Sequence, residues 1–267
     1  MNKKKYKTVL VFGALGFLGK HVSRVLANSG CQLVITDLDK SKLDSFAKEI
    51  QKKSDISIMA EDCDVTSEQS LRTLLTNVKN QYGNVDSIIN CSTYSSRDSM
   101  KISAPFEEYS LIEWKKMLSV NLDGAFLISK VFGSAMKESG RGGNIVFMSS
   151  IYGFLGTDQS IYERVNKSEF RSNNPASYSA SKGGVISLAK YLATYWAEDN
   201  IRVNVLSLGG IYNSQKHEFK EDYSKRVPMK RMGELPELDS AIIFLLLGDS
   251  TYLNGHNLVI DGGLSAW

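Results

Sequence analysis

A chain of 267 residues with 42% hydrophobic and 23% charged residues has the make-up of an ordinary globular protein, long enough to bury a full core. Its net charge is only +3 and its basic residues are scattered, which argues against a nucleic-acid surface. The three cysteines, Cys31, Cys63 and Cys91, are odd in number and far apart. That fits neither a disulfide framework nor a metal site, and they read as free thiols of a reducing cytoplasm.

In chain order, Lys3-Lys4-Lys5 ahead of the stretch 9–19 has the beginning of a secretory leader but no small-residue cleavage site after it. No run is long enough to span a bilayer. Thr8-Val9-Leu10-Val11-Phe12 reads as a buried strand. Gly13-Ala14-Leu15-Gly16-Phe17-Leu18-Gly19 follows, and helical periodicity begins at once. Strand, glycine loop and helix together form the context a dinucleotide fingerprint requires. The glycines let the backbone approach a pyrophosphate seated on the helix N-terminus. The second strand, 32–37, ends in Asp37, placed where a carboxylate binds adenosine ribose hydroxyls and repels the extra phosphate of NADP, which argues for NAD. Asp39 is the more natural cap of the next helix, which runs through Leu43, Phe46 and Ile50.

Strand 56–60, helix 67–82 and strand 85–90 complete a β-α-β-α-β-α-β order, which means a parallel sheet with right-handed crossovers. A helical pattern spans 110–138, and the fifth strand, 144–150, ends in Ser149 and Ser150. A polar connection covers 151–174, then come helix 175–198, strand 201–207, Gly209-Gly210, and a charged segment at 212–235 with the character of a lid. Pro236 opens a last helix with the uncharged run 241–247, and 258–263 is the seventh strand. No linker interrupts this order, so the expectation is one α/β domain spanning 1–267: a doubly wound, Rossmann-type sheet of about seven parallel strands with helices on both faces.

Within helix 175–198, Tyr178 and Lys182 are four residues apart and share one face. An ammonium beside a phenol favours the phenolate, so Lys182 is expected to lower the tyrosine pKa and fit Tyr178 for proton exchange with an alcohol or carbonyl.

From end to end the chain resembles the short-chain dehydrogenase/reductases, in several separated motifs in the right order. The glycine loop matches, with Gly13, Gly16, Phe17, Leu18 and Gly19 as its cofactor-facing positions, although its spacing is that of the family's extended branch. Asp64-Val65 resembles the adenine-contacting pair, and Asn90-Cys91-Ser92-Thr93 stands where the family has Asn-Asn-Ala-Gly. Asn121, Ser150, Tyr178 and Lys182 match the catalytic set, and Gly209-Gly210-Ile211 stands where Pro-Gly and a nicotinamide contact usually stand, with Asp261-Gly262-Gly263 as the ending. The gap from Ser150 to Tyr178 is longer than usual, an insertion carrying Ile161-Tyr162-Glu163-Arg164. With the ending, it is similar to a bacterial subgroup of surface-polysaccharide, flagellin-glycan and sialic-acid-like sugar pathways.

The resemblance implies an NAD-dependent oxidoreductase, NADP being disfavoured by Asp37, that moves hydride between the nicotinamide and a secondary alcohol or ketone. Tyr178 would be acid or base, Lys182 would hold the nicotinamide ribose, Ser150 would bind the substrate oxygen, and Asn121 would hold a water leading to Lys182. Strand alternation puts Ser149 on the opposite face from Ser150, and the resemblance selects the second. The polar insertion favours a sugar or sugar phosphate, with Arg164 or Lys167 as partners for a phosphate. A 3-oxoacyl-type reductase using NADPH and a non-catalytic dinucleotide-binding regulator stand as alternatives. The helices 122–136 and 183–197 and the run 241–247 are too apolar for the sheet alone to cover, and the resemblance implies a homotetramer or homodimer built on these helices and the last strand; the free thiols imply a cytoplasmic location, and no nucleic acid, membrane or metal is expected.

Overall fold

The computed structural model describes residues 7–54, 56–95, 103–162, 173–248 and 250–267. Seven strands form one parallel sheet in the order β3-β2-β1-β4-β5-β6-β7: β1 Thr8–Phe12, β2 Gln32–Asp37, β3 Ile58–Asp62, β4 Ser87–Asn90, β5 Gly143–Ser150, β6 Ile201–Leu208 and β7 Asn257–Ile260. The order reverses between β1 and β4. In such sheets that is where a crevice opens beyond the carboxyl ends of the strands.

Helices cover both faces because the central strands are apolar on both. On one face Leu10, Phe12, Ile88, Phe147 and Val205 meet α3 (Glu68–Tyr82), α4 (residues 111–139) and α5 (Ala176–Tyr195). On the other, Val9, Val11, Ile89, Val146 and Leu206 meet α1 (Phe17–Asn28), α2 (Lys40–Gln51) and α7 (Asp239–Leu246). Neighbouring residues of β1 thus serve opposite cores, as the two-residue period of a strand requires. The Asp39 carboxylate caps α2 by accepting from the Lys42 N–H at 3.0 Å, and Ser67 caps α3 through the Ser70 N–H at 3.2 Å.

The boundaries differ from those expected where the partner strand, not local composition, decides them. The third strand starts at Ile58 because it pairs in register with Leu33. The seventh stops at Ile260 because Gly262 and Gly263 have φ of +67° and +87°, a left-handed backbone that no strand continues. The long helix α4 is continuous but contains two π-turns, Ser119–Asp123 and Ser129–Gly133. The segment 212–235 holds a further helix, α6 (His217–Arg226). It builds a small core of its own from Tyr223, Val227, Met232 and the insertion's Ile161.

Candidate active site

The ends of β1, β2, β4, β5 and β6 bring the expected residues to one edge of the sheet. Gly13 turns with φ +69°, and a Cβ there would lie 2.8 Å from the Ser92 backbone, so the loop needs glycine where it passes the end of β4. At Gly19 a Cβ would strike the Gly13 carbonyl oxygen at 2.0 Å. Gly16 is the N-cap of α1 and offers no side chain, so that helix start, followed by Phe17 and Leu18, presents bare backbone N–H groups. A loop closed on itself against an uncapped helix start is a fitting cradle for a pyrophosphate.

Asp37 ends β2 facing this loop. One of its oxygens accepts from the Leu15 N–H at 2.9 Å and the other from the Leu38 N–H at 2.8 Å. Each carboxylate oxygen keeps a further lone pair. Asp64 shapes its own turn. Its Oδ1 accepts from the backbone N–H and the hydroxyl of Thr66, at 2.8 and 2.7 Å, at the entry to α3. Val65 is buried beside it. Asn90 ends β4, buried, with Oδ1 accepting from the Ser92 N–H at 3.0 Å. Next to it, removal from water pushes the Cys91 thiol up to about 12.

Ser149 and Ser150, at the end of β5, are set toward different groups of α5. The Ser149 hydroxyl donates to the Lys182 carbonyl at 3.0 Å and so ties β5 to α5. Ser150 Oγ accepts from the Tyr152 N–H at 3.2 Å and shares the wall of one cavity with Tyr178, near enough to pull the phenol's pKa down. Lys182 is 6% exposed; its Nζ donates to the Met148 carbonyl at 3.0 Å and lies 5.6 Å from the centre of the Tyr178 ring. Asn121 sits in the first π-turn of α4. Its amide donates to Ser181 Oγ at 3.0 Å and to Met117 Sδ at 3.2 Å, and its Oδ1 accepts from the Tyr94 N–H at 2.8 Å. It braces α4 against the residue beside Lys182.

The electrostatics correct the expectation for Tyr178. Burial raises its pKa, and the hydrogen bond from Ser150 offsets that only in part. Burial also brings Lys182 down from 10.5 to about 8. A lysine beneath the ring, spending its Nζ on a main-chain carbonyl, cannot outweigh the loss of water around the phenol. In the protein as it stands Tyr178 is a neutral phenol, able to give a proton.

On the far side, Gly210 passes α6 so closely that a Cβ there would lie 2.6 Å from Tyr223 Cζ. The Gly210 N–H donates to the Tyr223 hydroxyl. Ile211 bridges to Gly233, which holds both ends of the lid segment together. A cavity of about 230 Å³ remains, lined by Ser150, Tyr178, Tyr152, Tyr162, Asn174, Gln215 and Phe219 among others. Sequence reasoning does not single out Tyr152, Gln215, Phe219 or Tyr223. Phe219 and Tyr223 are four residues apart in a charged segment, an aromatic stripe on one helix face that marks a buried side. Glu163, Arg164, Asn166 and Lys167 of the insertion lie outside the described residues. Among the described residues no group of His, Cys, Asp and Glu could hold a metal ion, and no helix is long and apolar enough to cross a membrane.

A family model described as enoyl-(acyl carrier protein) reductase matches residues 13–265. Carbonyl reductase family member 4 of Xenopus laevis is 33% identical over 97% of this chain and 98% of its own. D-arabinitol 2-dehydrogenase [ribulose-forming] of Candida tropicalis is 29% identical over 98% and 93%. Post-translational flagellin modification protein A of Campylobacter coli, a distant homologue, is 29% identical over 96% and 97%. Among solved structures, a short-chain dehydrogenase from Leptospira borgpetersenii with bound NAD+ superposes with a TM-score of 0.84, 31% identity and coverage of 98% and 93%. Gluconate 5-dehydrogenase from Burkholderia cenocepacia, in complex with NADP and tartrate, gives a TM-score of 0.85, 25% identity and coverage of 98% and 96%.

Proposed function

The chain belongs to the short-chain dehydrogenase/reductase family and is an NAD(P)-dependent oxidoreductase of alcohol and carbonyl substrates, and on that premise we propose that it uses NAD(H) on a secondary alcohol or ketone of a polar, sugar-derived molecule. The observation that carries this reading is the placement of Ser150 and Tyr178 on the wall of one cavity, with Lys182 buried beneath the tyrosine.

The nicotinamide supplies or receives the hydride. Gly13, Gly16, Phe17, Leu18 and Gly19 would hold the pyrophosphate, Asp37 the adenosine ribose, Asp64 and Val65 the adenine, and Asn90, Gly210 and Ile211 the nicotinamide side, with Tyr178 and Lys182 at its ribose. Ser150 holds the substrate oxygen by a hydrogen bond. Tyr178 gives its proton to that oxygen during reduction and takes it back during oxidation. Lys182 anchors the floor of the site, and Asn121 fixes the helix turn that carries Lys182.

The preference for NAD rests on Asp37, whose carboxylate would face a 2′-phosphate. The named relatives that act on sugar alcohols or sugar acids, and the one named for flagellin modification, support a carbohydrate pathway. The description of the matching family model favours a second reading, a reductase of acyl thioesters using NADPH. The hydroxyls and amides on the cavity wall weigh against an acyl chain. Exposed Phe126, Tyr191 and Tyr195 on α4 and α5, with Ile243 and Phe244 on α7, support a homotetramer or homodimer.

The test is a turnover screen of sugars, alditols, their phosphates, nucleotide sugars and short acyl thioesters with both cofactors, followed by NAD(P)H absorbance. A thioester as best substrate with NADPH would decide for the second reading.

A further inference from the structure

The cavity beside Ser150 and Tyr178 is walled in part by groups that proton and hydride transfer do not use. Tyr152 lies in the turn Ile151–Gly153 that follows β5, and Tyr162 ends the turn Gln159–Tyr162 of the insertion. Both rings line the cavity, and their hydroxyls lie close enough to shift each other's titration. Each ring is held in place. The Tyr152 backbone N–H is bonded to Ser150 Oγ at 3.2 Å, and the Tyr162 ring packs on Phe219 of α6 with centroids 5.4 Å apart. Burial pushes Tyr162 up to about 12 and raises Tyr152 as well, so both remain neutral phenols.

Two neighbouring neutral phenols offer O–H donors together with lone pairs on both oxygens. An alcohol hydroxyl both donates and accepts, so it satisfies both functions at once. A phosphate or carboxylate only accepts, and would place its charge against the remaining lone pairs. Asn174 and Gln215, also on this wall, are neutral amides held by hydrogen bonds to Thr157, Ser179, Ile211 and Asn213, so among the described residues the wall brings no charged side chain to a phosphate. The pair stands beside Ser150 and Tyr178 in sequence and in space: Tyr152 is two residues beyond Ser150, and Tyr162 lines the same cavity as Tyr178.

Resting on the dehydrogenase reading above, we propose that Tyr152 and Tyr162 form a hydroxyl-recognition pair that selects a neutral substrate carrying a second hydroxyl beside the reacting carbon. The substrate is then a vicinal diol of a polyol or sugar, favoured over monohydric alcohols and over phosphorylated counterparts. A site that hydrogen-bonds a substrate hydroxyl rejects the analogue lacking it, because its own polar groups are left unpaired, and discrimination of ~10⁴ or more is attainable. The insertion thereby acquires a chemical role, since it brings Tyr162 to the cavity.

The experiment uses the full chain with NAD+ and with NADP+. The probes are butane-2,3-diol against butan-2-ol, which differ by the neighbouring hydroxyl, and C5–C6 alditols against their terminal phosphates. The expected result is kcat/KM at least ~10²-fold higher for the diol than for the monohydric alcohol, and higher for neutral alditols than for the phosphates. Tyr152→Phe and Tyr162→Phe should each shrink the diol-to-alcohol ratio by roughly tenfold or more, chiefly through KM. Two variants are made so that a folding defect in one, seen by thermal melting, leaves the other to decide. An unchanged ratio in a folded variant, or a wild-type preference for the phosphates or the monohydric alcohol, overturns the pair and leaves the dehydrogenase reading standing. A wild-type protein that oxidises none of these compounds with either cofactor overturns both.

Discussion

Lys182→Met should make the protein inactive and, near neutral pH, more stable. Lys182 is 6% exposed and its amine falls from 10.5 to about 8 through burial. Each pH unit of displacement is worth ~1.4 kcal/mol, so holding the ammonium in that position costs about 3 kcal/mol below pH 8. The folded pKa is depressed. Between about 8 and 10.5 the unfolded chain therefore binds more protons than the folded one, and wild-type stability rises with pH through that window. Methionine fills similar volume without the charge. It leaves the Met148 carbonyl without the Nζ donor at 3.0 Å, a loss of about 1 kcal/mol. The net gain at pH 7 is then about 2 kcal/mol, which for a chain of this size is ~4–8 °C in Tm. Melting curves of both proteins at one protein concentration, from pH 7 to 10.5, test it. The variant's advantage should shrink steadily above pH 8 and vanish or reverse by 10.5. An advantage absent at pH 7, or constant across the range, would refute the burial argument, since every other titrating group is common to both proteins.

Tyr178→Phe removes only the proton-carrying hydroxyl, so turnover should fall by ~10²–10⁴ or more while NADH still binds by fluorescence titration. Because burial raises the Tyr178 pKa, reduction, which needs the phenol, should hold its rate from neutral pH into the alkaline range, whereas oxidation should quicken as pH rises; a bell centred below pH 7 for both would contradict this. Asp37→Ala should narrow the preference for NAD over NADP and also weaken both cofactors, since the Leu15 N–H loses its acceptor; a wild-type protein that binds NADPH more tightly than NADH would remove Asp37 from cofactor choice. Light scattering at micromolar concentration should give the mass of a dimer or tetramer, and a monomer would leave Tyr191 and Tyr195 as solvent-facing aromatics without a partner.

The parts of this molecule legible in its sequence are those whose causes are local. The strands are apolar runs, the glycine loop is a short-range steric demand, and Asp39 caps a helix three residues away. Tyr178 and Lys182 share a face because they lie one turn apart. Their protonation departs from the expectation for the opposite reason. Proximity along a helix is local, but burial is produced by β5, α4 and the insertion folding around both groups. Ser149 follows alternation, tied to the Lys182 carbonyl on the face that α5 covers, while Ser150, at the very end of β5, lines the cavity with Tyr178. Tyr223 is out of reach of such reasoning, because the group it meets, the Gly210 N–H, belongs to a different element that only the fold brings close.

That contact also accounts for the paired glycines after β6. A side chain at position 210 would collide with the Tyr223 ring, so the phenol and the turn could not both keep their places. Tyr223 belongs to α6, and the far side of α6 is fastened to the insertion. Ile161 is buried against Tyr223, Val227 and Met232, the Arg226 guanidinium pairs with the Asp158 carboxylate, and the same side chain donates to Ser160 Oγ at 2.6 Å. The exposed ion pair adds little energy by itself. Its importance is geometric, because it joins the insertion that carries Tyr162 to the helix that holds Gly210. Tyr162, on the insertion, and Gly210, in the turn beside the proposed nicotinamide position, are therefore both placed by contacts to the same helix, α6.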